Sequence, residues 1–198
     1  LAVVGVAAST ALGSIGMTGP AVVSRYEAHL MPDGTLNEGF TYTFTEQQYR
    51  MLYRSWEVPV SFTAQGSPYI QPISITPPEG SIAYVKDRYG DVTIMSSGYD
   101  SWFITGTIDS LAEYNEAGCF YASMFPAGEY HIGYTFKVFP PIEYDSSYDH
   151  LNLMLASVHI PYGNVTVVIE DADYVAAVYA HPPSLRVSHV GNSIVITG

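Results

Sequence analysis

The residues of this chain best suited to chemistry are carboxylates, and they come in clusters. "IEYDSSYDH" carries Glu143, Asp145 and Asp149, "IEDADY" carries Glu170, Asp171 and Asp173, and "DRYGD" carries Asp87 and Asp91. Calcium takes several oxygen ligands from flexible loops, and each cluster can donate some of them. None has the alternating ligands and central glycine of an EF-hand, and the competing role for each is a solvated turn on an acidic protein. Calcium is therefore the one cofactor left open, with Glu143, Asp145, Asp149, Glu170, Asp171 and Asp173 as its ligands. The six histidines, His29, His131, His150, His159, His181 and His189, form no HxxxH or HExxH pair, so no zinc site is indicated. A single cysteine, Cys119, excludes an internal disulfide and reads as a small buried residue. There is no G-x-S-x-G, no phosphate-binding loop and no dinucleotide fingerprint. Paired carboxylates of the kind that cleave glycosides are set by space, and nothing else in the sequence asks for them. The expectation is a protein that is not an enzyme and has no catalytic residues. "NVT" makes Asn164 a glycosylation acceptor if the chain is exported.

One basic-aromatic stretch stands out in an otherwise acidic chain. "YRMLYRSW" gathers Arg50 and Arg54 with Tyr49, Tyr53 and Trp56. Charge-assisted bonds and ring stacking could dock it on an acidic face of a neighbouring copy, but packing within its own domain is the favoured reading.

These residues must be positioned mainly by strands. In "VSRYEAHLM" Tyr26, Ala28 and Leu30 alternate with Arg25, Glu27 and His29, the pattern of a half-buried strand. "PDGT" is turn chemistry, and "TLNEGFTYTFTE" then places Leu36, Phe40, Tyr42 and Phe44 on one face, which completes a hairpin. "EVPVSF", "PYIQPISIT", "SIAYVKD", "VTIMSS", "SWFITGTI", "CFYASMF", "EYHIGYTFKVF", "LNLMLASVHI", "NVTVVIE" and "YVAAVYAH" continue the series. "DSLAEYNEAG" reads as a short helix capped by Asp109 and ended by Gly118. "EQQYRMLYRSW" breaks the alternation, as one or two helical turns or a loop. The chain ends in a hairpin folded at Gly191 and Asn192. Short strands at this spacing, with no alternation of strands and long helices, predict an all-β fold. The fold class is a single β-sandwich of jelly-roll or immunoglobulin-like kind over residues 22–198, preceded by an apolar segment over residues 1–21.

Composition limits the partners. The 198 residues carry a net charge of −12, with only 13% charged residues and 17 tyrosines. A chain so poor in Lys and Arg is unsuited to nucleic acid and to attraction by anionic lipid headgroups. Few charges and many tyrosines suit protein contacts, although tyrosine also favours strands.

Three stretches together carry a resemblance. "RYEAHLMPDGTLNEGFTYTF", with Asp33, Gly34 and Glu38 in place, resembles the opening hairpin of an uncharacterised family of predicted membrane proteins. "YRMLYRSWEVPV" is similar to the arginine-aromatic stretch that follows in that family, and "GEYHIGYTF" with "NVTVVIED" to its later strands. Members place a β-rich domain of unknown function outside the cytoplasmic membrane. The resemblance spans about two thirds of the chain by these motifs and implies an exported β domain with no catalytic residues to carry over. The family's usual C-terminal membrane segment does not occur in these residues.

The opening "LAVVGVAASTALGSIGMTGP" is uncharged and rich in small residues, and Leu1 is not an initiator methionine, which predicts a processed or cut chain. It could be an export signal or membrane anchor, with Gly5, Ser9 and Gly13 letting helices pack closely. It could lie as a strand or a helix against other copies of the chain, in extended form added to a neighbour's open sheet. It could also be a strand of its own domain. The second is taken forward, because the segment has no polar face over so long a run. Leu1, Val3, Val4, Val6, Leu12 and Ile15 are then subunit contacts, and the partner is the chain itself. The expected function is a non-enzymatic subunit of an extracellular, cell-surface filament or tube, and the alternative is a membrane-anchored extracytoplasmic binding or sensing domain.

Overall fold

The structure is a computed structural model that describes residues 2–9, 20–66, 68–99, 101–140, 142–144, 146–157 and 160–198, with the backbone alone at 2–9, 143–144 and 156–157. The strands, numbered in chain order, fall into three hydrogen-bonded sheets. A seven-stranded sheet runs β14 (Arg186–Val190), β15 (Ser193–Thr197), β12 (Tyr162–Ile169), β2 (Ala21–Leu30), β3 (Thr35–Phe44), β9 (Gly128–Phe139), β5 (Tyr69–Thr76). One four-stranded sheet runs β10 (Ile142–Tyr144), β11 (Asp149–Ser157), β1 (Ala2–Ser9), β13 (Val175–His181). The other runs β4 (Met51–Ser55), β8 (Glu116–Phe120), β6 (Ile82–Lys86), β7 (Val92–Ile94), and it carries the one α-helix among the described residues, α1 (Trp102–Leu111). The chain is thus mostly β.

Local chemistry sets the β2–β3 hairpin as its alternation predicts. Tyr26, Ala28 and Leu30 are buried, as are Leu36, Phe40, Tyr42 and Phe44. Between the strands, the Asp33 carboxylate accepts from the Thr35 backbone N–H at 2.8 Å, and Gly34 takes φ +84°. A side chain at Gly34 would be strained by that φ and would meet the Val138 carbonyl at 3.0 Å. One core cluster joins Tyr26, Phe40 and Phe136 of the large sheet to Leu52, Val85 and Cys119 of the β8 sheet and to Leu153 and Leu155 of β11. Both small sheets therefore cover the same face of the large one. Full burial of each large apolar side chain contributes roughly 1.5–3 kcal/mol before the entropy cost of ordering it.

Strands β6 and β8 are buried on every residue because they are covered on both faces. Ala83, Val85, Ala117 and Cys119 face the main core, while Ile82, Tyr84 and Phe120 form a second cluster with Ile108 and Ala112 under α1. Burial pushes the Cys119 thiol up to about 12, which removes it from nucleophilic use.

Three local expectations are corrected. "SWFITGTI" is not a strand. Its Ile104 and Ile108, four apart and followed by Ala112, make a helical apolar stripe, and Thr107 Oγ1 donates back to the Phe103 carbonyl at 2.9 Å. The β-branched residues that suggest a strand are accommodated because that stripe has a sheet to pack on. The helix expected over "DSLAEYNEAG" is only the end of α1. Ala112 already has extended backbone, and Asn115 sits at φ +59°. "MLYRS" is strand β4, antiparallel to β8, where helical turns or a loop were expected.

The N-terminal segment forms a strand of its own chain's sheet, the third of the roles its sequence allows. β1 lies between β11 and β13 of its own chain and is parallel to both. Val3 is in register with His150 and Ala177, Val4 with Leu151 and Val178, and Val6 with Leu153 and Ala180. Both backbone edges of β1 are therefore paired within the chain. Main-chain pairing on both sides satisfies an apolar strand without a second molecule. Leu1, Leu12 and Ile15 lie outside the described residues.

Candidate functional site

Alternation places Glu38 on the buried face of β3 between Leu36 and Phe40, and Arg54 on the buried face of β4 between Leu52 and Trp56. The two meet where the three sheets converge. Arg54 Nε donates to Glu38 Oε2 at 3.3 Å, with side chains 1% and 0% exposed. The Tyr26 hydroxyl donates to Glu38 Oε1 at 2.5 Å. The rest of the guanidinium fork donates to the Ser55 carbonyl and, at 3.0 Å, to the Met154 carbonyl of β11, and its face lies 3.6 Å over the Trp56 ring. One arginine thus ties β4, β3 and β11, a strand of each sheet, which the planar fork of arginine allows and the point charge of lysine does not. Burial raises the Glu38 carboxyl above its ordinary range, while Arg54 and the Tyr26 hydroxyl pull it down. Burial, then Glu38, pushes the Tyr26 hydroxyl well above the usual phenol range. Around this pair the Trp56 Nε1, Tyr134 hydroxyl and Tyr162 hydroxyl are buried with no hydrogen-bond partner among the described residues.

A second polar group anchors α1. Lys86 Nζ donates to the carbonyls of Asp109 at 2.7 Å and Ala112 at 3.1 Å, and pairs with the Asp109 carboxylate at 2.9 Å. A cation at a helix C-terminus satisfies free carbonyls and complements the helix dipole. Beside it, Glu116 accepts from the Tyr84 hydroxyl and from the Glu113 backbone N–H. Burial raises the Glu116 carboxyl, with both hydrogen bonds opposing.

The outer surface here is aromatic. Trp102 is 87% exposed and Phe103 67%, at the first two residues of α1, and Tyr89 and Tyr114 are exposed beyond its other end. The buried Glu38–Arg54 pair and the largely buried Lys86 hold the elements together, while these rings stand in solvent.

The structure places the two carboxylate clusters considered for calcium apart from each other. Glu143 lies on β10, its backbone in register with His150, and Asp149 begins β11, while Asp145 is outside the described residues. Glu170, Asp171 and Asp173 lie in the turn between β12 and β13. Glu170 is occupied by His29 Nδ1 and the Ser193 hydroxyl, both at 2.9 Å, and these bonds hold its carboxyl below the ordinary range. Asp171 accepts from Asn192. Among the described residues no three His, Cys, Asp or Glu side chains converge as a metal site. Asn164 is exposed on β12, its Nδ2 donating to the Ser24 carbonyl at 3.2 Å. "YRMLYRSW" packs within its own domain, as its favoured reading had it, with Arg54 and Trp56 buried and Tyr49 against Phe44.

Sequence reasoning missed the buried pair. The signal was a charge within an apolar stripe: Leu36, Glu38, Phe40 on one strand and Leu52, Arg54, Trp56 on another.

A family described as "Predicted membrane protein (DUF2207) N-terminal domain" matches residues 23–197. No curated protein matches the chain. Among solved structures, an M1 zinc metallopeptidase from Deinococcus radiodurans aligns at 9% identity and TM-score 0.41, over 90% of this chain and 38% of that one. An aminopeptidase A from Legionella pneumophila, in complex with aspartic acid, aligns at 8% identity and TM-score 0.43, over 90% and 19%. The chain thus spans well under half the length of either peptidase. No helix among the described residues is long and apolar enough to cross a membrane.

Proposed function

Because the chain belongs to the predicted membrane protein (DUF2207) N-terminal domain family, we propose that it is the extracytoplasmic, non-enzymatic recognition domain of a membrane-held protein. The observation that carries this reading is the sorting of its groups. The Glu38–Arg54 pair and Lys86 are held inside, while Trp102, Phe103, Tyr89 and Tyr114 stand outside. An enclosed ion pair offers no reacting group to a substrate, whereas exposed rings at the two ends of α1 suit a contact surface. The architecture goes with this reading as a single sandwich, the seven-stranded sheet forming one layer and the two four-stranded sheets the other. Protease added outside intact cells that express the full-length protein tests it. Cleavage of the domain, with the remainder staying in the membrane fraction, is expected. A domain shielded from external protease, or recovered free of membranes, refutes it.

A second reading, the cell-surface filament subunit, is favoured by one feature. β1 is a central strand flanked on both edges by main-chain partners, so the same slot would accept β1 of a neighbouring copy. On this reading the full chain forms large assemblies and a chain lacking residues 1–20 does not. A full chain that stays monomeric, or a shortened one that still assembles, removes it.

A further inference from the structure

We propose that the Trp102–Phe103 tip of α1 seats the domain on a bilayer, entering the headgroup layer of a zwitterionic lipid surface. This rests on the membrane-held reading, which places a bilayer beside the domain.

The two rings are adjacent, 6.1 Å apart and nearly perpendicular. They point away from the sheet because the helix is fixed by its opposite face. At 3.6 residues per turn Phe103 lies about 140° round the helix from Ile108, which is fully buried against the β8 sheet. Lys86 secures the far end of the same helix. The tip is therefore a rigid projection, and any polar side chain would suit these two positions better if water were their only neighbour. Tryptophan, with an apolar ring and an N–H donor, is the residue type that settles at headgroup depth.

Area and charge decide between a lipid and a second copy. Two aromatic side chains bury about 150–250 Å² each. A stable protein interface needs about 800 Å² per partner. A patch of this size is thin for a dimer and sufficient for insertion into a fluid layer. Two copies each carrying a net charge of −12 also repel. The same charge selects the lipid. No Lys or Arg occurs between Arg88 and Lys137, so nothing near the tip in sequence attracts anionic headgroups, and apolar insertion alone drives contact.

Tryptophan emission provides the test, since the chain has two tryptophans and Trp56 is buried. Titration of the 198-residue chain with phosphatidylcholine vesicles is expected to shift Trp102 emission to the blue. Brominated phosphatidylcholine should quench it, and admixed phosphatidylglycerol should weaken binding. Vesicle co-sedimentation should fall at least about tenfold in Trp102→Ser/Phe103→Ser, because the buried ring area that drives insertion is gone. Unchanged Trp56 emission would show that the variant is folded. Absence of any lipid-dependent change in the wild type overturns the proposal, as does binding that survives the double substitution. Concentration-dependent dimerisation without lipid, lost in the double variant, also overturns it and gives the surface to a second copy. External protease cleavage with no lipid contact would refute this inference alone and leave the membrane-held reading standing.

Discussion

Arg54→Met gives the sharpest test of how the three sheets are held. The substitution keeps much of the apolar stem and removes the guanidinium. The variant loses the bonds from Arg54 to Glu38, to the Ser55 carbonyl and to the Met154 carbonyl, and Glu38 stays enclosed with Tyr26 as its partner. Breaking one side of a buried ion pair costs about 3–5 kcal/mol, because the abandoned charge has neither water nor a counter-charge. Whole domains are stable by only about 5–15 kcal/mol, so the variant should stand near its unfolding limit. The sign of its pH dependence follows from Glu38. Burial already raises this carboxyl in the folded chain, and losing Arg54 removes the main opposing influence. A carboxyl whose folded pKa exceeds its unfolded value contributes stability that is fully present below the unfolded value, about 4.3, and lost as pH rises through the folded one. The deficit relative to wild type should therefore be largest at pH 7 and shrink toward pH 4.5. Glu38→Leu/Arg54→Met, which removes both charges, should recover much of the loss. Urea unfolding followed by circular dichroism at both pH values measures all three variants. A deficit under about 1 kcal/mol at pH 7 refutes the reasoning, as does one that does not change with pH or a double variant as unstable as the single.

Tyr134→Phe and Tyr162→Phe remove hydroxyls without a hydrogen-bond partner among the described residues, so each should be neutral or stabilising in urea unfolding, whereas Tyr26→Phe, which takes a donor from Glu38, should cost about 1.5–3 kcal/mol. Gly118→Ala puts a Cβ 2.5 Å from the Leu52 carbonyl oxygen and 2.9 Å from the Tyr53 Cβ, so thermal unfolding should show a loss of roughly 1–3 kcal/mol or more. The Asp33 carboxyl, bonded to Lys137 and Thr35, should titrate at about 2 by NMR, and the Glu170 carboxyl below its ordinary range. Both are lowered in the folded chain, so their contribution is present above the unfolded carboxyl pKa and is lost as pH falls through the folded values. Lys137→Met should return Asp33 toward the ordinary range.

The sequence by itself determined what period and turn chemistry can specify. Alternation in "VSRYEAHLM" and "TLNEGFTYTF", with Asp33 and Gly34 between, fixed the β2–β3 hairpin and its inner face. The turn at Gly191, the buried Cys119 and the mostly β class were legible for the same reason, since each depends on neighbours in the chain. Tertiary structure decided the rest. "WFITGTIDSL" is helical because the β8 sheet offers its Ile108 stripe a surface, which β-branched residues could not announce locally. The same is true of β1, whose apolar residues ask for shelter without saying whose. β11 and β13, well over a hundred residues away, supply it from the same chain. Glu38 and Arg54 each read as a misplaced charge in an apolar stripe, and only the convergence of three sheets makes them partners. An alternating pattern records which face is buried. It carries no record of the distant strand that buries it.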